Sequence, residues 1–185
     1  MNTKKVAFLI HNDFQDDEFR QPYDALCQAG FEVTLLGPES DKTYRGKNLR
    51  ERATSDLGLD AARPADYQAL VIPGGYAPDK LRLVPGIAEF IRHFDQHKKP
   101  IAAICHGPQL LITADILRGR TVTCYESIAV DVKNAGANYV DEPVVVDSNL
   151  VTSRKPADLA PFCEATIALI KGEKYVPNSS VSTRS

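Results

Sequence analysis

Four short apolar runs punctuate this chain: KVAFLI (5–10), FEVTLL (31–36), QALVIPGG (68–75) and PIAAI (100–104). Longer stretches with helical spacing separate them, and this alternation constrains the fold more than any other feature. Continuous apolar runs of that length are how strands read when both faces of their sheet are covered. Strands that alternate with helices pair in parallel through crossovers, which leaves helices on both faces. The expected fold is an α/β flavodoxin-like three-layer sandwich with a mainly parallel sheet. In such sheets ligands bind at the carboxyl ends of the strands, near a switch in strand order.

The helical stretches fit between the runs. Residues 16–29 read as a helix with Pro22 inside it, as a kink or re-start, and Gly30 ends it. Residues 87–97 place Ile87, Phe90, Ile91 and Phe94 on one face. Residues 108–117 read as a helix opened by Pro108, with Gly119 just past its end. Residues 128–135 look helical, and 157–171 form an amphipathic final helix. The runs VVV (144–146) and LVT (150–152) flank a turn. Residues 41–60 are polar and punctuated by glycine, read as a loop or a small hairpin. One domain is expected over 1–172, and the polar tail 173–185 is expected to be mobile.

Composition narrows the class. At 43% hydrophobic and 25% charged residues the chain matches ordinary globular proteins. A net charge of −2 gives no electrostatic reason to bind nucleic acid or an anionic membrane. No segment approaches the roughly 20 apolar residues of a membrane span, and no signal peptide is evident, so a cytoplasmic location is expected. The four cysteines, Cys27, Cys105, Cys124 and Cys163, form no CxxC pair and no disulfide or zinc spacing. No metal or cofactor is expected. His93 and His97 lie four apart with no third ligand in view, and GxGxxG and phosphate-loop motifs are absent.

Two strand ends stand out: Pro73-Gly74-Gly75 and Cys105-His106-Gly107. A residue at a sharp strand-to-helix turn is presented above the sheet, the logic of a nucleophile elbow. The start of the following helix and a nearby imidazolium would both favour a thiolate there. On pattern alone Cys105 reads equally as a buried core residue. His106 beside it also needs a third group to hold its ring.

The segments PGGYAPDKLR, AAICHGPQLLI and NAGANYVDEPVVVDSNLVTSRKPADL resemble the PfpI/ThiJ family, within the class I glutamine amidotransferase-like superfamily. The likeness runs over about residues 5–171. Members are described as intracellular protease I, protein deglycases and stress proteins. The resemblance implies that Cys105 is the nucleophile and His106 its base partner. It implies that Asp79 orients His106 from a neighbouring subunit, so a homo-oligomer, dimer or hexamer, is expected. The Gly75 and His106 N–H groups would form an oxyanion hole, with Tyr125 and Gly74 beside the cysteine. Where the family typically reads Phe-Glu-Asp-x-Glu, this chain has Phe14-Gln15-Asp16-Asp17-Glu18, so Glu18 matches the second glutamate and Gln15 replaces the first. Without a like-charge neighbour for Glu18, the thiolate is expected to be at least as favoured.

Three functions follow from this reading. The first is a cysteine hydrolase acting, like a deglycase or glyoxalase, on glycated amines, glycated protein or small dicarbonyls. The second is a PfpI-type peptidase acting on peptide substrates. The third is a non-catalytic redox-sensing or holdase-like stress protein.

Overall fold

A computed structural model describes residues 4–176. The chain runs β1 (Lys5–Leu9), α1 (Asp16–Gln28), β2 (Glu32–Gly37), β3 (Thr43–Arg45), β4 (Arg52–Thr54), β5 (Leu57–Gly58) and β6 (Ala69–Ile72). It continues α2 (Ala77–Leu81), α3 (Ile87–Gln96), β7 (Ile101–Ile104), α4 (Pro108–Thr113), β8 (Thr121–Val122), α5 (Ala129–Asn134), β9 (Asn138–Tyr139), β10 (Val144–Asp147), β11 (Leu150–Ser153) and α6 (Leu159–Lys171). Residues 173–176 follow without regular structure, and the rest of the tail lies outside the described residues.

The main sheet has seven strands in the order β10-β11-β7-β6-β1-β2-β5. All its pairs are parallel except the β10-β11 hairpin. The α/β three-layer expectation holds. Strand alternation sorts the apolar side chains into two cores. Ala7, Leu9, Leu70 and Ile72 pack with α3 and α4 on one face. Val6, Phe8, Val71 and Ile104 pack with α1 and α6 on the other. From β1 the chain winds outward through β2 and then returns to lay β6 on the opposite side of β1. That reversal opens a crevice at the carboxyl ends of β1 and β6, with β7 next in order.

Several local expectations are refined. The segment 41–60 contains the antiparallel β3-β4 hairpin, and also β5, which pairs with β2 as the sheet edge. Pro22 does not break α1; lacking an N–H, it only costs the bond that would close on the Glu18 carbonyl. The helix expected over 108–117 ends at Thr113, because Asp115 turns left-handed at φ 54 and the Ile116 N–H closes back on Leu111. Apolar spacing continued past this cap, so the pattern overran it.

Candidate active site

Cys105 follows β7 directly and has φ 62, in the left-handed region that non-glycine residues avoid at about 1–2 kcal/mol. Three backbone bonds hold it there: its N–H donates to Ser153, its carbonyl accepts from Tyr125, and the Gly107 N–H closes on Ile104. Gly107 is required by packing, since a Cβ there would lie 2.7 Å from the Ile72 carbonyl oxygen. The elbow is therefore present. Cys105 is 6% exposed at the floor of a cavity of about 200 Å³. Gln15, Glu18, Lys47, Gly75, His106 and Tyr125 are among its lining residues.

The turn after β6 supplies the facing wall. Gly75 sits at φ +78 and bridges Phe14, while the Gln15 N–H donates to the Gly74 carbonyl at 3.2 Å. A side chain on Gly74 would come within 2.5 Å of a Glu18 oxygen and 2.6 Å of the Cys105 Cβ. Only glycine lets these two groups meet across the backbone. The backbone N–H groups of Gly75 and His106 both favour the ionised form of Cys105. The expected oxyanion pair and the sulfur are thus brought together.

Glu18 is fully buried. One carboxyl oxygen accepts the Gly74 N–H at 2.9 Å, and the other, Oε1, has no conventional hydrogen-bond partner. Burial pushes this carboxyl up to about 7, against the opposing pull of the Gly74 N–H and of its coupling to the Cys105 thiol. The same burial, with Glu18 beside it, drives the Cys105 thiol upward. A low-pKa thiol opposite an ionised Glu18 is therefore not what the geometry builds. Near neutrality Glu18 is the group that titrates, and its ionised form opposes a thiolate on Cys105.

Gln15 caps α1, its Oε1 accepting the Glu18 N–H at 2.7 Å. It fixes the helix start that carries Glu18, beyond the charge argument expected for it. His106 Nδ1 lies 3.3 Å from the Cys105 sulfur and its Nε2 lies 3.3 Å from the Ser127 hydroxyl. Tyr125 stacks on the imidazole at 5.1 Å between ring centroids. Burial and the charge of Lys47 lower the His106 pKa, so the imidazolium expected beside the thiolate is disfavoured. Asp79 does not reach His106 within the chain; it is exposed on α2 and pairs loosely with Arg82 at 4.0 Å.

Sequence reasoning missed three participants. Lys47 and Ser127 sit in polar stretches that carry no periodic signal. Asp16 is buried and accepts the N–H groups of Asn48, Arg50 and Glu51, each at 2.9 Å. Those bonds hold its carboxyl below the usual range despite burial. Its place in an acidic run concealed that role. Among the described residues no cluster of His, Cys, Asp and Glu could hold a metal ion.

The model of the DJ-1/PfpI family matches residues 4–169. The chain belongs to the DJ-1/PfpI family. It is 46% identical over 169 residues to protein/nucleic acid deglycase 2 of Escherichia coli, covering 91% of this chain and 98% of that relative. An uncharacterised protein of Staphylococcus aureus is 47% identical over 165 residues, 86% of this chain and 94% of its own. Among solved structures, a two-domain Anabaena variabilis protein with DJ-1/ThiJ/PfpI-like and ferritin-like domains superposes with a TM-score of 0.90 at 43% identity. That match covers 98% of this chain and 52% of the Anabaena protein. Drosophila melanogaster DJ-1beta superposes with a TM-score of 0.85 at 25% identity, over 93% of this chain and 92% of its own. Among the described residues of this DJ-1/PfpI member, no helix is long and apolar enough to cross a membrane.

Proposed function

We propose that this DJ-1/PfpI protein is a cysteine-dependent deglycase, removing early carbonyl adducts from amines and thiols. The observation that carries the reading is the Cys105 thiol on its strained elbow, coupled to the buried Glu18 carboxyl and facing two backbone N–H donors. The deglycase name of the Escherichia coli relative supports the substrate class. The small cavity favours compact carbonyl adducts over an extended peptide.

The chemistry balances without a cofactor. With the shared proton on Glu18, the Cys105 thiolate displaces the amine from the carbinol carbon of a methylglyoxal adduct. A C–S bond forms, the C–N bond breaks, and the departing amine takes a proton from water, relayed by the neutral His106 imidazole. The resulting hemithioacetal isomerises through an enediol to a thioester. The former aldehyde carbon is oxidised as the ketone carbon is reduced. Water then cleaves the thioester, releasing lactate and restoring the thiol. The Gly75 and His106 N–H groups hold the oxyanions of the enediolate and of thioester hydrolysis; such donors are typically worth about 2.7–4 kcal/mol. Tyr125 holds the His106 ring in plane. We assign exposed Asp79 to the His106 of a neighbouring copy in a homo-oligomer.

The test is stoichiometric release of lactate and free amine from methylglyoxal-treated Nα-acetyl-lysine. Many turnovers per Cys105, lost in Cys105→Ser, support the reading. A single event per thiol sinks it in favour of a sensor.

A further inference from the structure

The cavity above Cys105 contains one lysine and no arginine. Lys47 lies on the loop between β3 and β4, and three features fix that loop against the site. The Lys47 N–H donates to the Phe14 carbonyl at 2.9 Å. The buried Asp16 carboxylate gathers the next three available N–H groups of the loop, those of Asn48, Arg50 and Glu51. Gly46 lets that carboxylate approach, since a Cβ there would lie 2.4 Å from it. A buried charge that accepts three backbone bonds specifies one loop conformation.

The neighbouring charges are spent. Arg50 pairs with Asp17 at 2.8 Å, and Glu51 pairs with Arg20 at 2.8 Å. Lys47 has no carboxylate within salt-bridge distance among the described residues; its ammonium lies 5.8 Å from the centre of the exposed Tyr76 ring. Lys47 is thus an exposed cation at the rim of the cavity that holds Cys105, coupled to Glu18 only at longer range, and it can receive a substrate anion. The space below it is about seven water volumes. That takes a three-carbon adduct and a carboxylate, and it is small for a purine nucleotide.

We propose that Lys47 recognises a carboxylate carried by the substrate within a few bonds of the carbon that Cys105 attacks, so that the preferred substrates are adducts on free amino acids or on a C-terminal cysteine. The inference rests on Cys105 as the reacting thiol. It deepens the deglycase reading by naming which glycated partners are preferred.

Two alkylating agents that differ in charge test it without turnover. Iodoacetate and iodoacetamide both form a C–S bond with expulsion of iodide, and both draw on the same thiolate. Their rate ratio at Cys105 therefore cancels thiolate population. Replacing Lys47 by Gln should lower the iodoacetate-to-iodoacetamide ratio about fivefold, the size of a partly exposed ion pair. Lys47→Arg should hold the ratio within about twofold of the parent protein. At fixed ionic strength acetate should slow iodoacetate more than phosphate does; the reverse order overturns the carboxylate assignment. An unchanged ratio in Lys47→Gln, or a parent ratio at Cys105 no higher than at exposed Cys27, overturns the proposal. Methylglyoxal adducts of N-acetylcysteine and of its amide give the turnover readout. In Lys47→Gln, kcat/KM for the acid relative to the amide should fall about fivefold through KM. If the parent protein turns over neither adduct while the alkylation ratio responds, the deglycase reading falls and the Lys47 assignment stands. Turnover with an unresponsive ratio means the opposite.

Discussion

The two ends of the sheet make opposite use of charge. At the amino ends of the strands lies the larger hollow, about 520 Å³, flanked by Lys4, Lys98, Lys99 and Lys171. The Lys99 ammonium there donates to the carbonyls of Pro64, Ala65 and Tyr67, and Lys4 donates to Ile170. Those lysines close helix and loop ends. The carboxyl-end cavity has less than half that volume. Yet it holds a left-handed cysteine, a buried carboxyl oxygen without a conventional partner, and a lysine with no ion-pair partner among the described residues. The candidate site is set apart by strained backbone and an unsatisfied carboxyl that meet in one cavity, and volume is a poor guide to it.

That contrast can be broken from either end. The largest effect belongs to Cys105→Ser, expected to cut turnover by at least about a thousandfold while the fold persists, checked by lactate release and circular dichroism. Glu18→Gln comes next. The folded pKa of Glu18 is raised to about 7, above its unfolded value near 4.5. Its stabilising share is therefore complete below about pH 4.5 and is lost as pH rises toward 7. Urea titrations of the parent protein should lose on the order of 3 kcal/mol across that window relative to Glu18→Gln. The variant should also lose the coupled pH step in Cys105 alkylation; parallel stability curves would refute the buried, shared proton.

At the amino end, Lys99→Met leaves three carbonyls without their shared donor. It should cost about 1–3 kcal/mol of unfolding free energy in urea titrations, with Cys105 alkylation unchanged. A change in alkylation would mean that the two ends are coupled. The smallest effect is Gln15→Glu, which keeps a capping oxygen and adds a like charge near Glu18. The Cys105 alkylation midpoint should rise by about one pH unit or less. Increased turnover at an unchanged midpoint would show instead that a second carboxyl acts in catalysis.

Much of this was legible from the chain. The apolar runs located β1, β2, β6 and β7, because strands buried on both faces must be apolar throughout. Glycine and cysteine at the ends of β6 and β7 marked the site, because a tight turn at a strand end restricts residue type so severely. The short edge strand β5 and the β8-β9 pair escaped notice, being two residues long each and held by partners distant in sequence.

What the sequence determined by itself was the alternation of strands and helices, hence a mainly parallel sheet, and the elbow on which Cys105 stands. Tertiary structure alone decided the protonation and the charge around that elbow. Glu18 titrates near neutrality because β6 and α1 bury it, and no local pattern encodes desolvation. Lys47 reaches the cavity of Cys105 because Asp16, thirty-one residues earlier, clamps its loop. Burial and long-range hydrogen bonds are properties of the folded chain, and they set the surroundings of a cysteine that the sequence had already marked.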